Sequence, residues 1–370
     1  MSASVTTEHV LNALRHVQDP DLHRDIVALG FVKNLAIDGG AVRFDVELTT
    51  PACPAKEDLK RQCVHMVSAL PGVTSVEVTM TAQPPRNAAG GARTALLKDV
   101  RHIVAVASGK GGVGKSTATA NLAIALANTG AKVGVLDADI YGPSMSLMFG
   151  IIKAPEINAD KKLVPVTSRN LKIVSMAMFD EGEKGVVWRG PMVSQMIQNF
   201  VHNVVWGELD YLLIDMPPGT GDVQITLTQN APLSGAVIVT TPQDVSVLDA
   251  KKGLRMFRSV NVPVLGIVEN MSYFVCDECT KKHYIFRRGG GRRVAESLGV
   301  PFLGEIPLEP EVAEGGDAGT PIVERRPGSP ASQAYKALAG AVASSLSILT
   351  AAQAGLMEDF DFKWEEVPEP

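Results

Sequence analysis

The sequence predicts an α/β fold: a doubly wound, mostly parallel sheet preceded by a small α/β domain. Three observations carry this expectation. Short apolar runs recur, each followed by a stretch with helical spacing, as in HIVAVA (102–107) before ATANLAIALA (118–127), and GAVIVT (235–240) before a helix at about 246–258. Such a rhythm belongs to parallel strands joined by crossover helices. Two further runs, AKVGVLDAD (131–139) and YLLID (211–215), end in aspartates. Carboxylates at the C-terminal ends of parallel strands lie on the edge where ligands of such sheets bind. Finally, residues 1–83 carry a helix, hairpin, helix and strand pattern of their own, cut off by the Pro- and Gly-rich stretch 84–98.

Taken in order, VLNALRHV (10–17) has helical spacing and stops at Asp19-Pro20. FVKNLAI (31–37) and AVRFDVEL (41–48) flank Asp38-Gly39-Gly40, a hairpin signal. A helix at about 54–69 and the strand VTSVEVTM (73–80) complete the small domain. Cys53 stands just before that helix, where the dipole is expected to lower a thiol pKa, making it a candidate accessory thiol. Cys63, inside the helix pattern, reads as core. Residues 84–98 read as a linker that lets the small domain move, 99–356 as the larger domain, and 357–370 as an acidic tail.

The strand at 102–107 and the helix at 118–127 enclose SGKGGVGKST (108–117), which satisfies G-x-x-x-x-G-K-[ST] at Gly109, Gly114, Lys115 and Ser116. Strand, glycine-rich loop and helix point backbone N–H groups at a phosphate chain, and the helix dipole reinforces them. The loop Gly109, Lys110, Gly111, Gly112, Val113, Gly114, Lys115, Ser116, Thr117 is therefore expected to bind a nucleoside triphosphate. Lys115 is expected on the β/γ-phosphates and Ser116 on Mg²⁺. The aspartates at 137, 139 and 215 supply carboxylates for Mg²⁺ and for the attacking water, and Gly219 and Gly221 give the turn after Asp215 its freedom.

Lys110, directly after the first motif glycine, adds a second lysine to the loop. The loop resembles the deviant Walker A motif of the MinD/ParA/nitrogenase-iron-protein group of dimerising ATPases. That resemblance implies that Lys110 reaches the partner's nucleotide across a homodimer interface as a catalytic cation. It also implies that Asp139 activates water, Asp137 and Asp215 stand near the metal, residues 137–144 and 215–222 act as switches, and Asn270 reads the adenine. The catalytic set is then Lys110, Lys115 and Asp139, with ATP and Mg²⁺ as cofactors.

After the strand VPVLGIVEN (262–270) come Cys276 and Cys279 as C-x-x-C, with His283 nearby. Two thiolates at this spacing grip one metal centre but make half of a four-ligand site. A symmetric dimer completes it with four sulfurs, which suit either structural zinc or an iron–sulfur cluster.

Taken together, the small domain (with VQDPDLHRDIVALGFV, LTTPACP and LPGVTSVEV) and GKGGVGKS, DADIYGPS, IDMPPGTGD, VENMS and the C-x-x-C before H-Y-I-F resemble the Mrp/ApbC family of iron–sulfur cluster carrier ATPases. The resemblance implies a 4Fe-4S cluster held at a homodimer interface by Cys276 and Cys279, slow ATP hydrolysis, and transfer of the cluster to apo-proteins. It also implies a functional role for Cys53. The chain departs from the family in reading C-D-E-C-T, and Asp277 and Glu278 are expected to lower the cluster's potential or make it more labile.

Other classes are less well supported. A net charge of −5 argues against broad nucleic-acid binding. No run approaches 18 apolar residues, so no membrane span is expected. A MinD/ParA-like positioning ATPase on a membrane or DNA needs a basic amphipathic helix or a basic patch, and the C-terminal region offers an Ala-rich helix and an acidic tail instead. A regulatory ATPase with structural zinc at the cysteine pair is the third reading. Four cysteines in 370 residues, with no secretory pattern at the start, fit a cytoplasmic setting.

Overall fold

The computed structural model describes residues 5–82, 97–140, 142–179, 196, 199, 200 and 203–353. Two compact units are present, one formed by residues up to 88 together with those from 343 onward, the other by 89–342. All but residues 97 and 98 of the expected linker, and the whole acidic tail, lie outside the described residues.

In the smaller unit, α1 (Thr7–Leu14) starts at Thr6, whose hydroxyl accepts the His9 N–H. β1 (Val32–Asp38) and β2 (Ala41–Leu48) form the expected antiparallel hairpin, turning at Gly39 with φ of 63°. α2 (Lys56–Ser68) then returns the chain so that β3 (Ser75–Ala82) pairs parallel to β2. Val42, Phe44, Val46 and Leu48 alternate onto the buried face of β2 and join a core with Leu59, Cys63 and Val67, which recur every four residues on α2.

The larger unit is built on eight strands. β4 (Val100–Ala107) leads into α3 (Lys115–Ala127), followed by β5 (Val133–Asp137), β6 (Val166–Ser168), β7 (Leu171–Ser175) and β8 (Leu209–Asp215). After α4 (Asp222–Asn230) come β9 (Gly235–Thr240), α5 (Asp244–Ser259) and β10 (Val264–Glu269). The sheet order is β6-β7-β5-β8-β4-β9-β10, with one further strand, Phe302–Glu305, beside β10. All neighbours pair parallel except β6 with β7. The strands are apolar throughout because helices cover both faces. Trp206, Leu212, Ile214, Ile238, Leu254 and Phe257 belong to one continuous core. The chain leaves β4 and reaches β5 by passing β8, so β4 stands where the winding reverses. This is the place at which open α/β sheets hold ligands.

The last helix, Pro330–Gln353, is long and apolar enough to cross a bilayer by length and composition, a test that the sequence reading did not expect any segment to meet. Tyr335, Leu338, Val342 and Leu346 on it are buried in the protein, as in a core helix.

Candidate nucleotide and cysteine sites

Strand register creates the acidic edge. Asp215, the last residue of β8, lies directly beside Asp137, the last residue of β5, and beside Val106 of β4. The strand that ends at the phosphate loop thus brings its own helix onto the carboxylates. Lys115 Nζ lies 2.8 Å from Asp215 Oδ2 and 3.6 Å from Asp139 Oδ2. Ser116 donates its hydroxyl to Asp215 Oδ2 at 2.6 Å, and Thr119, one turn further, donates to Oδ1 at 2.8 Å.

Asp137 is fully buried. It accepts the Ser144 and Met145 N–H groups at 3.0 and 3.1 Å and the Ser175 hydroxyl at 2.7 Å. Burial, and next the Asp215 charge, push its carboxyl up to about 7. Asp139 accepts the Gly142 N–H at 3.3 Å. The hydroxyl of Ser116 and the carboxylates of Asp137 and Asp215 form an all-oxygen donor set, which suits Mg²⁺. Thr119 and Ser175 were missed in the sequence. Thr119 shares the face of α3 with Lys115, four residues on. Ser175 ends β7 in register with Asp137, so strand-end position was the available signal.

Steric limits fix the glycines of the loop. A Cβ on Gly109 would lie 2.2 Å from the Asp249 backbone of α5, and Gly114 has φ of 79° with a Cβ position 2.3 Å from Asn270 Nδ2. Lys110 is half-buried, and its ammonium forms no ion pair among the described residues. Asn270 is 5% exposed and donates Nδ2 to the Val113 carbonyl at 2.9 Å. In this structure the amide expected to face adenine holds the phosphate loop.

Immediately beyond Asn270 the chain turns through Met271, a non-glycine residue with φ of 54°, into a short hairpin. β11 (Phe274–Val275) pairs antiparallel with β12 (Lys282–His283), and Cys276 and Cys279 lie in the turn between them. The base of this excursion is closed by Glu269, a fully buried carboxylate that the sequence reading did not single out. Its Oε1 accepts the Ser272 hydroxyl at 2.6 Å and its Oε2 accepts the Gly291 N–H at 2.5 Å. Gly291 lies in the first turn of α6 (Gly290–Ser297), where the helix dipole favours a carboxylate. The adjacent Gly290 has no room for a side chain, because a Cβ would approach the Pro242 carbonyl to 2.4 Å.

Cys279 is exposed and Cys276 half-buried. Backbone N–H groups of Cys279 and Glu278 point at the Cys276 sulfur and pull its thiol below the usual cysteine range. Cys53 behaves in the opposite way to the expectation. It belongs to the smaller unit and is 8% exposed in its core, and burial pushes its thiol up to about 11, outweighing the N–H groups at the start of α2. Cys63 is core, as expected, with its thiol raised to about 12 by burial.

Residues 99–343 match a ParA-type family described as NUBPL iron-transfer P-loop NTPase. Residues 7–79 match a family described as iron-sulfur cluster assembly protein. A Synechocystis protein named iron-sulfur cluster carrier protein is 48% identical over 93% of this chain and 99% of its own length. A Deinococcus radiodurans protein of the same name is 46% identical over 92% of this chain and 96% of its own. Among solved structures, the nucleotide-binding protein of Archaeoglobus fulgidus in complex with ADP is 40% identical, with a TM-score of 0.54 over 60% of this chain and 88% of that one. The fold, the phosphate loop and these relatives agree, and the chain belongs to the Mrp/ApbC group of iron-transfer P-loop NTPases.

Proposed function

We propose that the protein is an ATP-hydrolysing carrier of a 4Fe-4S cluster, held between two copies of the chain by Cys276 and Cys279 of each and passed to apo-proteins. The observation that carries this reading is the continuity of the two sites. Asn270 is hydrogen-bonded to the phosphate loop, and six residues later the same strand exit delivers Cys276. A change in the loop on nucleotide binding or hydrolysis therefore acts on the segment that bears the thiolates. The names of the relatives favour this reading over a positioning ATPase or a zinc-stabilised regulator.

Gly109–Thr117 wrap the phosphates of ATP, Ser116, Asp137 and Asp215 hold Mg²⁺, and Asp139 orients the attacking water. Lys115 stabilises the transferring phosphoryl group within its own chain. Lys110 does so across the dimer, and turnover is slow. Asn270 reaches the adenine only after releasing Val113. The exposed Lys281, Lys282, Arg287 and Arg288 around the pair offset the negative charge of a thiolate-bound cluster, with Asp277 and Glu278 acting against them. Exposed Val245, Leu248 and Ile285 provide apolar area for a second copy. Cys53 is an accessory thiol only when its domain opens. We assign the small domain to 1–83, the linker to 84–98, the ATPase to 99–356 and the tail to 357–370, and place the activity in the cytoplasm.

Cluster transfer tests the proposal. Protein loaded without oxygen should restore activity to an apo-enzyme that needs a 4Fe-4S cluster, and Cys276→Ala/Cys279→Ala protein treated alike should not. Equal restoration by both would overturn it.

A further inference from the structure

The short helix Met145–Met148 follows the stretch that carries Asp137 and Asp139, and both of its ends are held from outside. At its start, the Ser144 and Met145 N–H groups cap Asp137. At its end, Gly150 turns the chain with φ of 61°, and the Phe149 carbonyl accepts Nη1 of Arg169 at 2.6 Å. A helix of four residues has no stability of its own, so these outside holds set where it lies.

Arg169 stands where its backbone does not favour it. Ser168 pairs with Leu171, which leaves Arg169 and Asn170 as a two-residue turn between β6 and β7, with φ of 51° and 59°. Turns with positive φ at both positions favour Asn, Asp and Gly. Asn170 conforms. Arginine gains nothing from the turn, so it is the side chain that gives this position its use. The guanidinium binds three segments at once. Besides Phe149, Nη2 donates to the Gly319 carbonyl at 2.7 Å, and Nε pairs with Glu324. Gly319 also lies against the helix end, since a Cβ on it would be 2.7 Å from Gly150 Cα.

The far side of this joint leads back to the phosphate loop. Glu324 belongs to the short helix Ile322–Arg325, whose Val323 N–H donates to Asn121 Oδ1 at 3.1 Å. Asn121 is buried on α3 and donates Nδ2 to the carbonyl of Thr117, the last residue of the loop, at 2.9 Å. Contacts thus run from the phosphate loop through Asn121, Glu324 and Arg169 to the helix that caps Asp137. Asp139 accepts the Gly142 N–H at 3.3 Å, just before that helix, and so moves with the same segment.

We infer that Arg169 is a positioning residue for ATP hydrolysis, an assignment that rests on the ATPase reading above. It acts through the Met145–Met148 helix and keeps the carboxylates of Asp137 and Asp139 aligned with the phosphate loop. The loop itself holds ATP, so removing Arg169 spares affinity and costs alignment, on which the rate of phosphoryl transfer depends.

The test compares full-length wild type with Arg169→Gly and Arg169→Asn. Both replacements suit positive φ, so they remove the guanidinium and keep the turn. Three quantities are read: Mg²⁺·ATP affinity by equilibrium dialysis, the single-turnover hydrolysis rate, and amide hydrogen exchange over residues 144–149. Expected in both variants are an affinity within about twofold of wild type and a rate lower by about ten- to a hundredfold. Exchange over 144–149 should quicken while that of β4 and β8 stays unchanged, which separates a loosened helix from general destabilisation. Unchanged exchange at 144–149, equal quickening throughout the sheet, or a loss of affinity as large as the loss of rate would overturn the assignment. A wild type that binds ATP without hydrolysing it would overturn the ATPase reading and this assignment with it. An active wild type matched by its variants would overturn this assignment alone.

Discussion

Among the four cysteines, burial sorts two inert thiols from two available ones. At pH 8, a thiol reagent should modify Cys276 and Cys279 in the folded protein, Cys276 foremost. Cys53 and Cys63 should react only on denaturation, and mass mapping of the labelled peptides checks this. The same shifts set an alkaline limit. An ordinary cysteine ionises near 9, whereas Cys53 in the fold ionises near 11 and Cys63 near 12. Between 9 and 11 the unfolded chain has lost protons that the fold keeps, so stability falls as pH rises. The slope is at most about 1.4 kcal/mol per pH unit for each thiol, and denaturant midpoints measured between pH 8 and 11 should show the decline. At the nucleotide, Lys110→Ala should lower ATP turnover about a thousandfold, the scale of a charge supplied to the transferring group, with ATP affinity little changed. The phosphate loop and its aspartates could be read because the chemistry needs fixed residue types at fixed spacing. Thr119 and Ser175 could not, since their roles depend on helix face and strand register. Cys53 was misjudged because sequence shows proximity to a helix start but not the desolvation that outweighs it.

At the scale of elements, the link between the sites is the exit of β10. Asn270→Ala removes one buried hydrogen bond, worth about 0.5–1.5 kcal/mol. The denaturant midpoint of the nucleotide-free protein should fall by the equivalent of that amount, while folding remains cooperative. Gly290→Ala places a Cβ against the Pro242 carbonyl, and the overpacking cost of about 1–3 kcal/mol exceeds the helix-propensity gain of about 1 kcal/mol. A lower thermal midpoint should follow. Strand and helix succession was legible because apolar runs and turn residues agree throughout the larger unit. The cysteine hairpin was not legible: its strands are two residues each and its closure depends on Glu269, which in sequence is one acidic residue at a strand end.

For the whole molecule, the sheet order places the phosphate loop and the cysteine-bearing exit on neighbouring parts of one edge, β4 and β10 being separated only by β9. Family membership and this topology together explain why one chain carries both an ATP site and a thiolate pair. The measurement that tests the cluster reading most directly is the iron and sulfide content of the dimer fraction after anaerobic reconstitution, beside Cys276→Ala/Cys279→Ala. A bridging 4Fe-4S cluster predicts about two iron and two sulfide per chain in the wild type and near none in the variant. Equal contents in the two proteins, or a wild-type dimer without sulfide, would contradict it.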